Sequence, residues 1–295
     1  MGVDEAYTTQ QIAANERAER ETTVMTPLDW VAIVGAAAWL PQIGTWLYRV
    51  IVRPEIRLIP GGIHEVGYTS YGPIFNLTCS LSASRKDAVI GKMTAEVRHE
   101  HGESRLLRWA ILNETVSQMR SASGERTEIS KNQPAIAIKV NTSLLTQTTI
   151  GFQDDAFLER RRVVTNALIA TMNHYQSVDP TNASADTLKS REYTDYLEAF
   201  RHNQFWKPGR YTATIAIHLV DSTKPTLRTL SFELTPDDAD RLGDNVQVIS
   251  RSVTEIAQGL PADQRTPENW NWINPRISTA DATATAGVGR PGPGS

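Results

Sequence analysis

Apolar and polar residues alternate with period two over several stretches, the mark of a strand with one buried face. Phe75, Leu77, Cys79 and Leu81 alternate with Asn76, Thr78, Ser80 and Ser82. Val89, Met93, Ala95 and Val97 are interleaved with Lys92, Thr94, Glu96 and Arg98. His101–Gly102–Glu103 can turn the chain back into a strand whose inward face is Leu107, Trp109 and Ile111. Ile136, Ile138 and Val140 make another face. Tyr211, Ala213, Ile215, Ile217 and Leu219 come later, then Leu230, Phe232 and Leu234. A single apolar face per strand implies antiparallel sheets, and roughly seven such strands imply a sandwich.

Between the strands the period lengthens to that of a helix. Phe157, Val164, Leu168 and Met172 predict a helix near 154–175, with Asp154 and Asp155 at its positive end. Leu188, Tyr193, Tyr196, Leu197 and Phe200 predict a second over 184–205, after a polar loop. Thr235–Pro236–Asp237–Asp238 reads as cap, proline and early acids, opening a third over 236–259. Along it Ala239, Leu242, Val246, Ile249, Val253, Ile256 and Leu260 keep a 3-4 repeat, the spacing of a coiled-coil seam. That stripe either covers the sandwich or pairs with another copy of the chain.

A different pattern precedes the strands. From Trp30 to Tyr48 no residue is charged, and the run reaches about 28 Å as a helix, close to the thickness of a bilayer core. Trp30 at one end, Trp46 and Tyr48 at the other, and Trp39 between them suit a membrane segment with interfacial aromatics. Pro41 is expected to kink it. Residues 26–52 are therefore expected to form one transmembrane helix behind a polar, disordered tail (1–25). Arg49 and Arg53 come after the run, whereas the tail is acidic. Positive flanks stay on the cytoplasmic side, which orients the tail outside and the soluble domain inside. The resulting division is a strand-rich domain over 53–260 and a mostly disordered tail over 261–295.

Composition narrows the function. Lys and Arg number 30 against 33 Asp and Glu, so the chain lacks the basic excess that nucleic acid requires. The single cysteine, Cys79, rules out an intrachain disulfide or a multi-Cys zinc site, and its alternating neighbours predict burial. His99 and His101 share a strand face near Glu103, but HExxH spacing is absent and a surface loop is the simpler expectation. Gly287, Gly289 and Gly292 satisfy GxGxxG without the strand and helix that such a loop needs. No nucleophile elbow or phosphate loop occurs. No catalytic, cofactor or metal residue is assigned, and no cofactor is expected.

Trp206–Lys207–Pro208–Gly209–Arg210–Tyr211 leads into a late strand. The segment resembles the turn before a late strand in many bacterial immunoglobulin-like or fibronectin-like modules. The resemblance implies a fold class and no function, and such modules lack the long helical insert and irregular strand spacing present in this chain. The expected fold is α+β, mainly β: an antiparallel immunoglobulin-like sandwich with inserted and C-terminal helices, preceded by one transmembrane helix. The expected function is that of a membrane-anchored, non-enzymatic binding or scaffold protein. Its partners are the lipid bilayer and an unidentified protein, with a homo-oligomer as a candidate and no nucleic acid. Contacts are expected at the seam (Leu242, Val246, Ile249, Val253, Ile256) and at the tryptophans Trp206, Trp270 and Trp272. An oligomerising effector that perturbs the bilayer and an unrecognised enzyme are the rival readings.

Overall fold

The computed structural model describes residues 27–120 and 126–279, in two units divided between Arg53 and Pro54. The predicted tail 1–25 lies outside the described residues. The first unit holds two helices, α1 (Pro27–Ala37) and α2 (Leu40–Ile51). Where the sequence predicts one helix over 26–52, the chain breaks at Ala38–Trp39. Pro41 causes the break: it has no N–H to bond the carbonyl four residues back, and its ring collides with that carbonyl. Ala38 and Trp39 close α1 by donating to Val34 and Ala36 (3.1 Å each). Pro41 then sits in the first turn of α2, where its lost N–H is free of consequence. Among the described residues no helix is long and apolar enough to cross a membrane, so two short helices replace the expected spanning one.

The second unit is α+β, built on an antiparallel sheet. Its strands are β1 (Glu55–Thr69), β2 (Gly72–Ser84), β3 (Ala88–His99), β4 (Ser104–Arg120), β5 (Arg126–Pro134), β6 (Ile138–Val140), β7 (Thr146–Gln153), β8 (Gly209–Leu219), β9 (Thr226–Leu234), β10 (Trp272–Ile273) and β11 (Ser278–Thr279). They run in the order β10-β1-β2-β7-β4-β3-β8-β9-β11, with β5 on β4 and β6 on β3. The sheet curls until strands far apart in this order meet. Arg228 of β9 donates to the Ile56 carbonyl of β1 (3.4 Å), and Phe75 of β2 stacks on Phe232 of β9 (5.8 Å between centroids). The result is a curled half-barrel around a core of Phe75, Leu77, Leu81, Met93, Tyr211 and Ile215.

Strict alternation fails where the ladder slips. A register shift lies between Ile90 and Lys92 in the β3–β8 pairing, so Ile90 is buried and Val89 faces outward. A second shift, between Trp109 and Ile111, turns Ile111 out of the core. Ile136 precedes β6 and is exposed, whereas Ile138 and Val140 are buried.

Four helices complete the domain: α3 (Asp155–Val178), α4 (Ala183–Lys189), α5 (Arg191–His202) and α6 (Pro236–Ala257). The segment 184–205 is two helices rather than one. Ser190 is extended and its hydroxyl caps α5 by accepting the Tyr193 N–H (3.1 Å). Asp154 caps α3 through the Phe157 N–H (3.0 Å). Thr235 and Asp238 form a reciprocal capping box on α6. Residues after 260 take part in the fold: β10 pairs with β1, β11 pairs with β9, and Ile273 is buried. Fully buried Asn245 of α6 holds this segment by donating to the Asn271 carbonyl (2.9 Å) and accepting its N–H (2.8 Å). Residues 280–295 lie outside the described residues.

Candidate functional site

A grouping of titratable side chains lies where β3 ends and β8 begins. His99 is buried there rather than on a surface loop. Its Nε2 is 3.1 Å from the Pro208 carbonyl and its Nδ1 faces the His101 N–H at 3.4 Å. Those partners fit one neutral tautomer, with Nε2 donating and Nδ1 accepting. Tyr211 packs on the imidazole with centroids 4.8 Å apart. Its hydroxyl accepts the Lys207 N–H (2.6 Å) and lies 3.0 Å from the Lys207 carbonyl. Burial pushes this phenol up to about 12, against a smaller downward pull from the backbone at Lys207. Gly209, with φ of 130°, lets the chain turn between them, and a side chain there would collide with His99 and Glu100. Outside this corner Glu103 pairs with Lys207 at 2.6 Å, and that hydrogen bond lowers the Glu103 carboxyl below its ordinary value.

Every polar atom named here is occupied by a structural partner. Among the described residues no group of His, Cys, Asp or Glu is arranged to hold a metal ion. Cys79 is fully buried on β2, and desolvation pushes its thiol up to about 12. A thiol so protonated and so enclosed does not serve as a nucleophile.

Two larger hollows are open to solvent. One, of about 720 Å³, runs between β8–β9 and the C-terminal segment and includes Arg210, Glu233, Asp238 and Arg276. The other, of about 710 Å³, lies between α5 and α6 and includes Arg201, Gln204, Gln247 and Arg251. The first lining also holds Ser231, Thr235 and Ser278, and the second Ser250, Thr254 and Glu255.

Of the expected contact residues, the first four of the helical stripe and Trp206 fall into the core. Leu242, Val246, Ile249 and Val253 are buried against the sheet and α5, and only Ile256, at 39% exposure, remains outside. Trp206 is 1% exposed and donates its indole N–H to the Gly67 carbonyl (2.8 Å). Trp270 packs half-buried against the core. Trp272 pairs with Gly67 across β10–β1, and its Cε3 and Cη2 lie 2.5 and 2.9 Å from where a Gly67 Cβ would stand. Trp206 and Trp272 thus both meet β1 at Gly67, one through its carbonyl and the other over its missing side chain. Sequence periodicity carries no sign of that long-range fit.

The N-terminal residues behave differently. Trp30, Trp39, Trp46 and Tyr48 are 58%, 64%, 63% and 51% exposed, together with Val34, Leu40, Ile43 and Leu47. Pro41 and Arg53 are also exposed. The Arg49 side chain lies outside the described atoms.

No family model matches the sequence, and no curated protein does. Among solved structures the chain is similar to a family 123 glycoside hydrolase from Clostridium perfringens. The TM-score is 0.30 with 8% identity, over 62% of this chain and 27% of that one. The matched region thus spans about a quarter of the hydrolase's length.

Proposed function

We propose that this chain is a non-catalytic binding or scaffold module held at a lipid surface by its two N-terminal helices. The observation that carries the proposal is the set of large apolar side chains on α1, α2 and the turn between them that stand exposed among the described residues: Trp30, Val34, Trp39, Leu40, Ile43 and Trp46. A water-exposed run of this kind is a binding surface or a liability. Its aromatics and the arginines after them suit the interfacial region of a bilayer, where a short apolar helix lies in the plane rather than across it. The orientation inferred from those arginines presupposes a crossing and is no part of this proposal. The immunoglobulin-like reading of the sheet belongs here: β1–β2 face β9 across the core, as the two layers of a sandwich do.

The non-catalytic part of the proposal rests on the occupied state of the candidate chemistry, with His99 and Tyr211 knit into one corner and Cys79 enclosed. Assembly through the 239–260 stripe is not invoked, because that stripe is spent on the core.

Flotation with neutral phosphatidylcholine vesicles tests the proposal. The full chain is expected to float, and a chain lacking residues 30–48 is expected to stay in the dense fraction while keeping a cooperative unfolding transition. Equal flotation of a folded deletion would overturn the proposal.

A further inference from the structure

One end of the second unit gathers the β2–β3, β6–β7 and β8–β9 turns and the start of β1, and the β4–β5 hairpin extends from the same end. Glu55 pairs with Ser84, the Ala83 N–H donates to the Asn141 carbonyl (3.2 Å), and the Val220 N–H donates to the Val89 carbonyl (3.0 Å). Four apolar side chains stand in solvent there: Leu144, Leu145 and Val220 at 61%, 65% and 65% exposure, and Val89 at 38%. The loop bearing the leucines is fastened at its base. Asp87 Oδ1 accepts both the Thr142 N–H (2.9 Å) and its hydroxyl (3.2 Å). Two adjacent leucines are thus held outward on a fixed loop.

Charge around this rim departs from that of the chain, which is −3 overall. Arg57, Arg85, Lys86, Lys139 and Lys224 lie here against Glu55, Asp87 and Asp221, and Asp87 is engaged by Thr142 and by Lys139 at 3.9 Å. At the opposite end Glu103, Asp154 and Asp155 pair with Lys207, Arg105 and Arg108, and Glu100, Asp237 and Asp238 share it with Arg161 and with Arg210, itself paired with Glu233, so that end carries no basic excess.

We propose that this basic, leucine-tipped end docks on an anionic lipid surface, with Leu144, Leu145 and Val220 entering the headgroup layer and the lysines and arginines meeting lipid phosphates. Two features favour lipid over a protein partner. The apolar groups stand on separate turn tips, as suits a deformable plane. Their surroundings are cationic, and anionic leaflets attract such residues. The inference rests on the lipid-surface reading above.

The test uses the full chain with phosphatidylcholine vesicles, plain or containing one-third phosphatidylserine. An environment-sensitive fluorophore is placed through Ser143→Cys or, at the far end, Asp237→Cys; buried Cys79 stays silent. A blue shift and quenching by brominated lipid are expected at position 143 alone, and only with the anionic vesicles. Leu144→Glu with Leu145→Glu should lower the partition coefficient by roughly a hundredfold, since each buried leucine contributes about a factor of ten. Flotation with a silent label at 143 would overturn this inference and leave the proposed function standing. Absence of flotation would overturn both. A lipid-independent shift at 143 that grows with protein concentration would identify a second copy as the occupant and overturn it too.

Discussion

A phenol or a thiol inside this core ionises only by bringing charge into a region that water does not reach. For Tyr211 and Cys79 that desolvation raises both groups to about 12, from ordinary values of 10.0 and 9.0. The folded chain holds these protons more tightly than the unfolded one, so their contribution is whole below the unfolded values and is lost as pH rises toward the folded ones. Thermal melting is therefore expected to hold steady through about pH 8.5 and to fall as the pH rises from about 9 toward 12. A melting temperature unchanged across that upper interval would contradict the burial of both groups. Much of this core is legible in the sequence, because Phe75, Leu77, Cys79 and Leu81 keep the strict alternation of one pleat. His99 and Trp206 are not legible. Each is buried by partners distant along the chain, the Pro208 carbonyl for one and the Gly67 carbonyl for the other.

Local chemistry decides the helix ends and non-local contact decides their faces. The Thr235–Pro236–Asp237–Asp238 signature needs no tertiary partner: Asp238 Oδ2 accepts the Thr235 N–H (2.9 Å) while Thr235 Oγ1 accepts the Asp238 N–H (3.2 Å). Removing the hydroxyl with Thr235→Ala leaves an unsatisfied N–H at the helix start and is expected to lower stability by about 1 kcal/mol. Asp238→Ala should have a similar effect, and the double variant should fall short of the sum because the two hydrogen bonds form one device. Urea denaturation of the four chains checks this, and strict additivity would separate the two contacts. The same local logic anticipates the break at Pro41 only as a kink. Ser190 gives no comparable warning, since its role as a cap depends on the chain turning there. The slips at Ile90 and Ile111 escape for another reason. A bulge inserts one residue, so every apolar position beyond it changes face while the composition of the strand stays the same.

At the scale of the domain, α6 and the C-terminal segment are the closing elements of a sheet that curls. The 3-4 stripe on α6 is compatible with two destinations, another copy of the chain or its own core, and spacing alone does not separate them. Burial does: Leu242 is fully enclosed and Ile249 is 2% exposed. Asn245 sets the register of the C-terminal segment by taking both backbone groups of Asn271 and so bringing β10 to β1. An asparagine on an apolar stripe reads in sequence as a helix-weakening residue, and only the fold reveals its partner. Consequences for a charged substitution differ between the two destinations. At an interface between copies, Leu242→Asp with Ile249→Asp would release folded monomers. Within the core it places two carboxylates where nothing can pair with them, a penalty well above the usual roughly 0.5–3 kcal/mol of a single change and comparable to the whole stability of a domain. The double variant is therefore expected to lose its near-UV circular dichroism and its cooperative unfolding transition. Light scattering should show expanded or aggregated chains rather than compact ones of lower mass. Compact, cooperatively folding monomers derived from a larger parent assembly would return the stripe to the role of an interface and would leave the closing of the sheet to other contacts.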